Sequence, residues 1–288
     1  MTTTSECLPC FVRQAVEAVG FCLPDEGARV PILRRLLADI STADWQMTPV
    51  GVGQQLHRRI RQAVGETDPY RALKDRMNLL ALEMLPGLRQ EARFEEDPRM
   101  AIVRLAVAGN LIDSGAKTGI AEQNVREALC HAVREPLYGP TIALFDAAER
   151  AHRILFLADN AGEIVFDRAL IEILPTKKIT VAVRGSPVLN DATLDDAQAA
   201  GLTGLTTIIP NGSDAPGTIL EDCSEEFRRV YAESDLIIAK GQGNFESLTD
   251  TEKHIFFLLR VKCPLIAAQV GAQVGDMVVL ERNRETGT

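Results

Sequence analysis

The sequence predicts an α/β protein in which a helical N-terminal part, residues 1–150, precedes an α/β domain, residues 151–288. In the first part, apolar residues recur every three or four positions, as at Leu73, Met77 and Leu80, which is the spacing of an amphipathic helix. After residue 150, short apolar runs alternate with helical patterns. Because strands that alternate with helices form parallel sheets with right-handed crossovers, we expect a mostly parallel sheet in the second part.

Seven helices are predicted in the first part, bounded by apolar spacing and by prolines. They cover residues 6–20, 29–40, 50–64, 69–84, 97–113, 122–133 and 137–150. In the fifth helix, Pro98 suits the first turn and Asp97 the cap. Asn110 and Asp113 are three residues apart near its end and could share one face. Their simpler interpretation is a helix cap and a solvated acid.

Six strands are predicted in the second part from short apolar or β-branched runs. They are Ile154–Ala158, Ile179–Val183, Leu205–Ile209, Asp235–Ala239, Ile255–Val261 and Met277–Leu280. Helices are predicted after residue 160, from near Thr193, across Ile219–Ala232 and from Pro264 to about Val270.

Length and charge narrow the class of protein. A chain of 288 residues can bury a sizeable core, and a net charge of −9 argues against a general nucleic-acid binder. No apolar run approaches the roughly 20 residues that cross a bilayer, and no signal-peptide pattern opens the chain. We therefore expect a cytoplasmic protein without a membrane or nucleic-acid partner; the oligomeric state is not predicted.

Two of the six cysteines, Cys7 and Cys10, form a single Cys-Leu-Pro-Cys motif. A structural zinc site usually needs a second pair at matching spacing, and the sequence has none. We favour reduced thiols packed in an N-terminal helix, with a metal or redox role as the alternative.

Polar side chains follow several of the predicted strands, where the apolar run stops. They are Asp159 and Asn160, then Asn190 and Asp191, then Lys240 and Asn244, and finally Lys262. In a parallel sheet these strand ends converge on one edge, where ligands bind. Carboxylate and amide oxygens suit Mg²⁺ or Mn²⁺, and nearby lysines suit an anionic substrate such as a phosphate.

Each of these residues also has a structural interpretation. Asp159 or Asn160 could cap the next helix, Asn190 and Asp191 could form a turn, and the lysines could be solvated. Taken together, polar residues after four apolar strands favour a site. Complete dinucleotide, Walker and Gly-X-Ser-X-Gly motifs are absent from the sequence.

At these residues the sequence resembles the metal-dependent damage-control phosphatase family, including its shorter microbial members with an N-terminal Cys-X-X-Cys. The matching segments are CLPC (7–10), AVAGNLID (106–113), LADNAGEIVFDRALIE (157–172), VRGSPVLNDATLDDA (183–197), PNGSDAPGTILEDCSEEF (210–227), DLIIAKGQGNFESL (235–248) and FFLLRVKCPLIA (256–267). The resemblance implies that the helical part packs on a Rossmann-like three-layer α/β/α domain.

The resemblance also implies a divalent metal (Mn²⁺, Co²⁺, Ni²⁺ or Mg²⁺) and roles for particular residues. The metal is expected on Asp159, Asn160 and Asp191, and Asp159 is the candidate for a direct catalytic role. The candidate substrate-binding residues are Asn110, Glu163, Asn190, Lys240, Asn244 and Lys262.

The function expected from this resemblance is hydrolysis of phosphomonoesters of small metabolites. These substrates would be sugar phosphates, nucleotides or damaged phosphorylated metabolites. Three alternatives stay open: a 4′-phosphopantetheine-type phosphatase, a carboxylate methyltransferase, and a non-catalytic metal- or nucleotide-binding module.

Overall fold

The computed structural model describes residues 1–111 and 122–283. The helices of the first part are α1 (Leu8–Cys22), α2 (Glu26–Ser41), α3 (Pro49–Val64), α4 (Arg71–Arg93), α5 (Pro98–Ala108), α6 (Glu122–Ala132) and α7 (Thr141–Arg150). The later helices are α8 (Glu163–Glu172), α9 (Leu194–Ala199), α10 (Glu225–Glu233), α11 (Gly241–Leu248) and α12 (Pro264–Val270). Within the described ranges, none of the helices is long and apolar enough to cross a bilayer.

Seven strands form one sheet in the order β1-β7-β6-β5-β2-β3-β4. They are β1 (Leu137–Tyr138), β2 (Ile154–Leu157), β3 (Ile179–Val183), β4 (Thr207–Pro210), β5 (Leu236–Lys240), β6 (Ile255–Arg260) and β7 (Met277–Arg282). Neighbouring strands are parallel except for β6 and β7. The predicted fold class, a helical region combined with a mostly parallel sheet, is therefore confirmed.

The strand order reverses between β2 and β5. From β2 the chain goes outward through β3 and β4, and β5 then returns to the other side of β2. At such a reversal the loops after the two strands diverge and leave a crevice at their carboxyl ends, where ligands bind in open α/β sheets. The residues after β2 and β5 therefore border the most favourable position in the sheet for a site.

Both faces of the sheet are covered. Ile154 and Phe156 belong to one apolar core, whereas Leu155 and Leu157 belong to a second core on the opposite face. This division follows from the period of two along a strand, and it explains why the predicted strands are continuous apolar runs without polar alternation.

The first of these cores extends from the sheet into the helical part. Phe11, Met77 and Val107 belong to the same cluster of buried residues as Phe156 and Val181. Helix α5 packs directly on α8. The division into two domains at residue 150 stays a prediction, since one core crosses it.

Helix α3 is tied to the loop between β4 and α10 by charged side chains. Arg58 and Arg61 pair with Asp214, and Gln54 donates to Asp214 and Asp222 at 2.7 Å each. Burial alone would raise the pKa of Asp214, but the hydrogen bonds from Arg58 and Gln54 lower it overall. The charged carboxylate is therefore the form that holds this loop against the helical part.

The predicted helix 137–150 is wrong at its start. Leu137–Tyr138 form β1, which pairs in parallel with β7, and the helix begins only at Thr141. Gly139 separates the two elements with φ +112°, and a Cβ there would lie 1.9 Å from the carbonyl oxygen of Val279. Two residues are too few to produce a recognisable strand pattern.

Other boundaries also differ from the predictions. The predicted helix 69–84 continues as α4 to Arg93, with Pro86 in its interior. Within the predicted helix Ile219–Ala232, Leu220–Asp222 is a 3₁₀ turn, and α10 starts at Glu225, capped by the Ser224 hydroxyl. The third predicted strand lies two residues later at its start, and Asp113 is outside the described residues.

Candidate active site

The turn from β2 into α8 is bonded to the segment that follows β3. The N–H of Ala161 donates to the carbonyl of Asn190 at 2.9 Å, and that of Ala192 donates to the carbonyl of Asp159 at 2.8 Å. Asn160 and Asp191 form an isolated antiparallel bridge between the two segments. This pairing brings together two predicted metal-ligand segments that lie about 30 residues apart in the chain.

The side chains of this pair of segments are buried and bonded to one another. Asn190 donates its amide to Asn160 Oδ1 at 2.9 Å. Asn160 in turn donates to Asp159 Oδ2 at 2.7 Å and to Glu163 Oε2 at 3.1 Å. Asp159 and Asp191 are only 7% and 3% exposed, so two carboxyl groups are withdrawn from water side by side.

Arg184 is a site residue that the sequence analysis missed. It is 3% exposed, its Nε donates to Asp191 Oδ2 at 2.6 Å, and its Nη2 lies 3.7 Å from Asp159 Oδ1. Nη2 has no hydrogen-bond partner within the described structure. Its position in the sequence could have indicated this, because Arg184 directly follows β3 just as Asp159 and Asn160 come shortly after β2.

Burial dominates the electrostatics of both carboxyl groups. It raises the pKa of Asp159, and the neighbouring carboxyls of Asp191 and Glu163 raise it further, while Lys262 and Arg184 act in the opposite direction. Burial likewise raises the pKa of Asp191 against the opposing effect of Arg184. Two acids with raised pKa values at a sheet edge are typical of functional sites.

Lys240 lies beneath this pair, in a different environment from the one predicted. Its Nζ donates to Glu163 Oε1 at 2.6 Å, to Asp167 Oδ1 at 2.5 Å and to the carbonyl of Ala106 at 2.8 Å. An ammonium group has three hydrogens to donate, so these bonds occupy all of them. Burial alone would lower the pKa of Lys240, but Asp167 and Glu163 outweigh it and raise the pKa.

Asn244 is also occupied by contacts within the protein. Its amide donates to the carbonyl of Lys240 at 2.8 Å and to that of Ala158 at 3.3 Å. Its Oδ1 accepts from the Thr218 hydroxyl at 2.8 Å and from Arg184 at 3.4 Å. Asn244 therefore joins the ends of β2 and β5 to the loop that bears Thr218.

A cavity of about 550 Å³ opens above the paired segments. Six of the predicted site residues line it: Asn110, Asp159, Asn160, Asn190, Asp191 and Lys262. Glu163, Lys240 and Asn244 are not among its lining residues. Asn110 lies two residues after α5 and donates to Glu163 Oε2 at 3.3 Å, so the helical part contributes to the cavity wall.

The Cys-Leu-Pro-Cys motif reaches the same cavity. Cys7 and Cys10 line it together with Cys263 from the turn after β6, and all three are free thiols. Burial raises the pKa of the Cys10 thiol. Throughout the described part of the chain, no group of three or more His, Cys, Asp and Glu side chains is arranged to hold a metal. The predicted metal set, with two carboxylates and one amide oxygen, is a different kind of group.

Gly241 shapes the floor of the site. It has φ +78°, and a Cβ at this position would lie 1.9 Å from Asp159 Oδ2. Glycine is therefore required at this position for two reasons: the positive φ and the close approach of the Asp159 carboxyl group. Gly271, at the end of α12, has φ +70° with open space around it.

These two glycines form a matched pair for a test. Gly271→Ala is expected to lower the free energy of unfolding by about 1–2 kcal/mol, the cost of a left-handed alanine, without changing catalysis. Gly241→Ala has the same backbone cost and also displaces Asp159, so we expect catalysis to fall as well. Urea unfolding and steady-state kinetics of both variants measure this. Equal catalytic rates in the two would contradict the assigned contact.

The comparison with known families decides the family. A family model described as the Damage-control phosphatase ARMT1-like domain matches residues 3–278. The chain belongs to this family. The family resemblance inferred from the sequence motifs is thereby confirmed.

Similar proteins of this family cover nearly the whole chain. A damage-control phosphatase of Pyrococcus horikoshii is 30% identical over 99% of this chain and 99% of its own length. A damage-control phosphatase of Archaeoglobus fulgidus is 35% identical over 78% of this chain and 79% of its own. An uncharacterized protein of Methanocaldococcus jannaschii is 37% identical over 96% and 94%.

A solved structure shares the fold. The crystal structure of a DUF89 family protein from Pyrococcus horikoshii superimposes with a TM-score of 0.86, at 30% identity, over 99% of this chain and 100% of that one. Membership of the damage-control phosphatase family supports a phosphatase role in metabolite repair for this chain.

Proposed function

We propose that this damage-control phosphatase family member hydrolyses phosphomonoesters of small metabolites with the help of a divalent metal. The observation that carries the proposal is the pair of buried carboxyl groups, Asp159 and Asp191, at the floor of the 550 Å³ cavity. Two buried carboxylates oppose each other's ionisation. Arg184 is one cation that contacts both, and a divalent cation would add the further positive charge that favours the ionised pair.

The donor set fits a hard divalent cation. Asp159, Asn160 and Asp191 would hold it through two carboxylates and an amide oxygen, the ligand types that Mg²⁺ and Mn²⁺ prefer. When bound, the metal supplies positive charge that neutralises the phosphate and favours ionisation of a nucleophile. A bound cation would favour the ionised form of both carboxyl groups, whose pKa values burial raises.

Side chains of the protein would orient the ligands, act in catalysis and bind the phosphate. Arg184 fixes the orientation of Asp191 through its 2.6 Å contact, and Asp159 has the direct catalytic role, either as nucleophile or in orienting water. Lys262 lies on the exposed side of the cavity, where it attracts a phosphate and stabilises the charge on its oxygens. Lys240 and Asn244 do not line the cavity; their hydrogen bonds hold Glu163 and the end of β2 in place.

The cavity suits a small metabolite. Its volume of about 550 Å³ lies in the range of small-molecule sites, about 300–1,000 Å³. Its wall also contains Gln242, Glu246 and Arg260, polar groups that can bond to the hydroxyl groups of a substrate. Sugar phosphates, nucleotides and damaged phosphorylated metabolites are the proposed substrate classes.

A metabolite panel tests the proposal. We expect inorganic phosphate release from at least one phosphomonoester with Mn²⁺, Co²⁺, Ni²⁺ or Mg²⁺, loss of release with a chelator, and recovery when metal is restored. The panel includes 4′-phosphopantetheine and, in a parallel assay, S-adenosylmethionine with carboxylate acceptors. Binding without turnover would indicate a non-catalytic module, and methyl transfer would indicate a methyltransferase. Either result contradicts the phosphatase.

A further inference from the structure

Asn78, in the middle of α4, contacts the site from the helical part of the molecule. It is 2% exposed, and its Oδ1 accepts a hydrogen bond of 2.7 Å from the N–H of Gly162. Gly162 lies three residues after Asp159 and two after Asn160, and it is the N-cap of α8. An N–H at a helix start needs a partner outside the helix, and here a side chain from 84 positions earlier in the chain supplies it.

The hydrogen bond from Gly162 to Asn78 stabilises one conformation of a turn whose glycine could adopt several. Gly162 has φ +74° and ψ −54°, a conformation that glycine adopts readily but that residues with a Cβ rarely adopt. Because glycine can adopt many other conformations, its surroundings must hold it in this one. The Asn78 carbonyl is one such constraint.

The other end of the Asn78 amide binds the second site segment. Its Nδ2 donates to Asp196 Oδ1 at 2.9 Å, while Asp196 Oδ2 accepts from the N–H and the hydroxyl of Thr193 at 2.8 Å each. Thr193 is two residues beyond Asp191. Through Asp196, Asn78 is therefore linked to the segment that carries the second carboxyl group of the site.

The chemistry of its partners fixes the orientation of the amide. A flipped amide would place its NH₂ against the N–H of Gly162 and its oxygen against a carboxylate, and both contacts would be repulsive. Lys74, fully buried, compensates the charge of buried Asp196 from 3.0 Å. Each of these donors therefore faces an acceptor, and the two buried charges have opposite signs.

We propose that Asn78 is a positioning residue that sets the placement of the Asp159–Asn160 segment relative to the Asp191 segment. This inference rests on the proposed function, since the placement matters through the metal that the two segments would share. A side chain of the helical part thus controls the geometry of a site formed at the sheet edge.

Substitution of Asn78 tests this role. In Asn78→Leu, which keeps the branched shape of the side chain and removes both hydrogen bonds, we expect affinity for Mn²⁺, measured by calorimetry on the metal-free protein, to fall about 10- to 100-fold. We expect kcat to fall with it, with a smaller change in KM. Asn78→Asp retains an acceptor for Gly162 but repels Asp196, and an intermediate loss is expected, so it serves if the leucine variant does not fold.

Leu73→Ala is the matched control, because Leu73 is buried in the same helix and makes none of these hydrogen bonds. It should lower the melting temperature without changing Mn²⁺ affinity. Unchanged affinity in a folded Asn78 variant, or an equal loss in Leu73→Ala, would overturn the positioning role while leaving the phosphatase proposal intact. A wild-type protein that neither binds Mn²⁺ nor releases phosphate would overturn both.

Discussion

Replacing Asp159 by asparagine is expected to reduce phosphate release to below roughly one thousandth of the wild-type rate, as for other residues at the centre of a catalytic group. The same change should not lower the melting temperature of the metal-free protein. Asp159 is buried beside a second acid, and burial raises its pKa. A neutral amide removes this conflict and still accepts the hydrogen bond from Asn160.

Thermal unfolding and a phosphate assay, run on the same preparation, measure both halves of this prediction. Asp146→Asn is the matched control: the acid is exposed on α7, and neither activity nor melting temperature should change. Full activity in Asp159→Asn would remove Asp159 from the mechanism. Activity lost together with the cooperative melt would instead mean that Asp159 acts through the fold.

Replacing Arg184 by methionine is expected to have the largest effect on stability. The guanidinium is buried and contacts Asp191 and Asp159, so its removal leaves two buried carboxyl groups without their nearest cation. Loss of one partner from a buried ion pair typically costs about 3–5 kcal/mol. We expect a loss of this size in the free energy of unfolding by urea, with a fall in phosphate release.

Two further variants test the charge and the burial of Arg184. Arg184→Lys keeps the charge but not the planar fork, so stability should recover in part while activity stays low. Arg153→Met removes an exposed partner of Glu233 and should cost less than about 1 kcal/mol. If Arg184→Met unfolds within about 1 kcal/mol of the wild type, the buried ion pair does not have the role assigned to it.

The positions of the site segments could be predicted because they depend on local patterns. A short apolar run that ends in Asp159 and Asn160 marks a buried strand and its carboxyl end, whatever the rest of the chain does. The convergence of several such ends then follows from parallel pairing alone. For this reason the cavity contains Asp159, Asn160, Asn190, Asp191 and Lys262 as expected.

The hydrogen-bond partners of Lys240 could not be predicted from the sequence. The alternation of side chains along β5 nevertheless indicated which face of the sheet Lys240 points to. Lys240 is two residues after Ile238, whose side chain belongs to the core shared with the helical part. Side chains two apart on a strand point to the same face, so Lys240 extends towards Ala106 in α5 and away from the cavity. The acceptors that occupy it lie more than 70 residues away, and local patterns do not reveal such pairs.

The link of Asn78 to Gly162 was beyond prediction for a related reason. A polar residue on a helix is ordinarily solvated, and the α4 pattern alone does not show which face meets the β2–α8 turn. That face is set by packing of α4 on α8. The two-residue strand β1 escaped detection because its pairing partner, β7, lies about 140 residues further on.

The pairing of β1 with β7 has a consequence for synthesis on the ribosome. β7 is inserted between β1 and β6, so Leu137–Tyr138 have no sheet partner until residues near Met277 have been translated. Contacts between such distant segments slow folding, because a long loop must close before they form. β1 therefore has no sheet partner until β7 has emerged from the ribosome. This interval is when we expect a chaperone to be needed most.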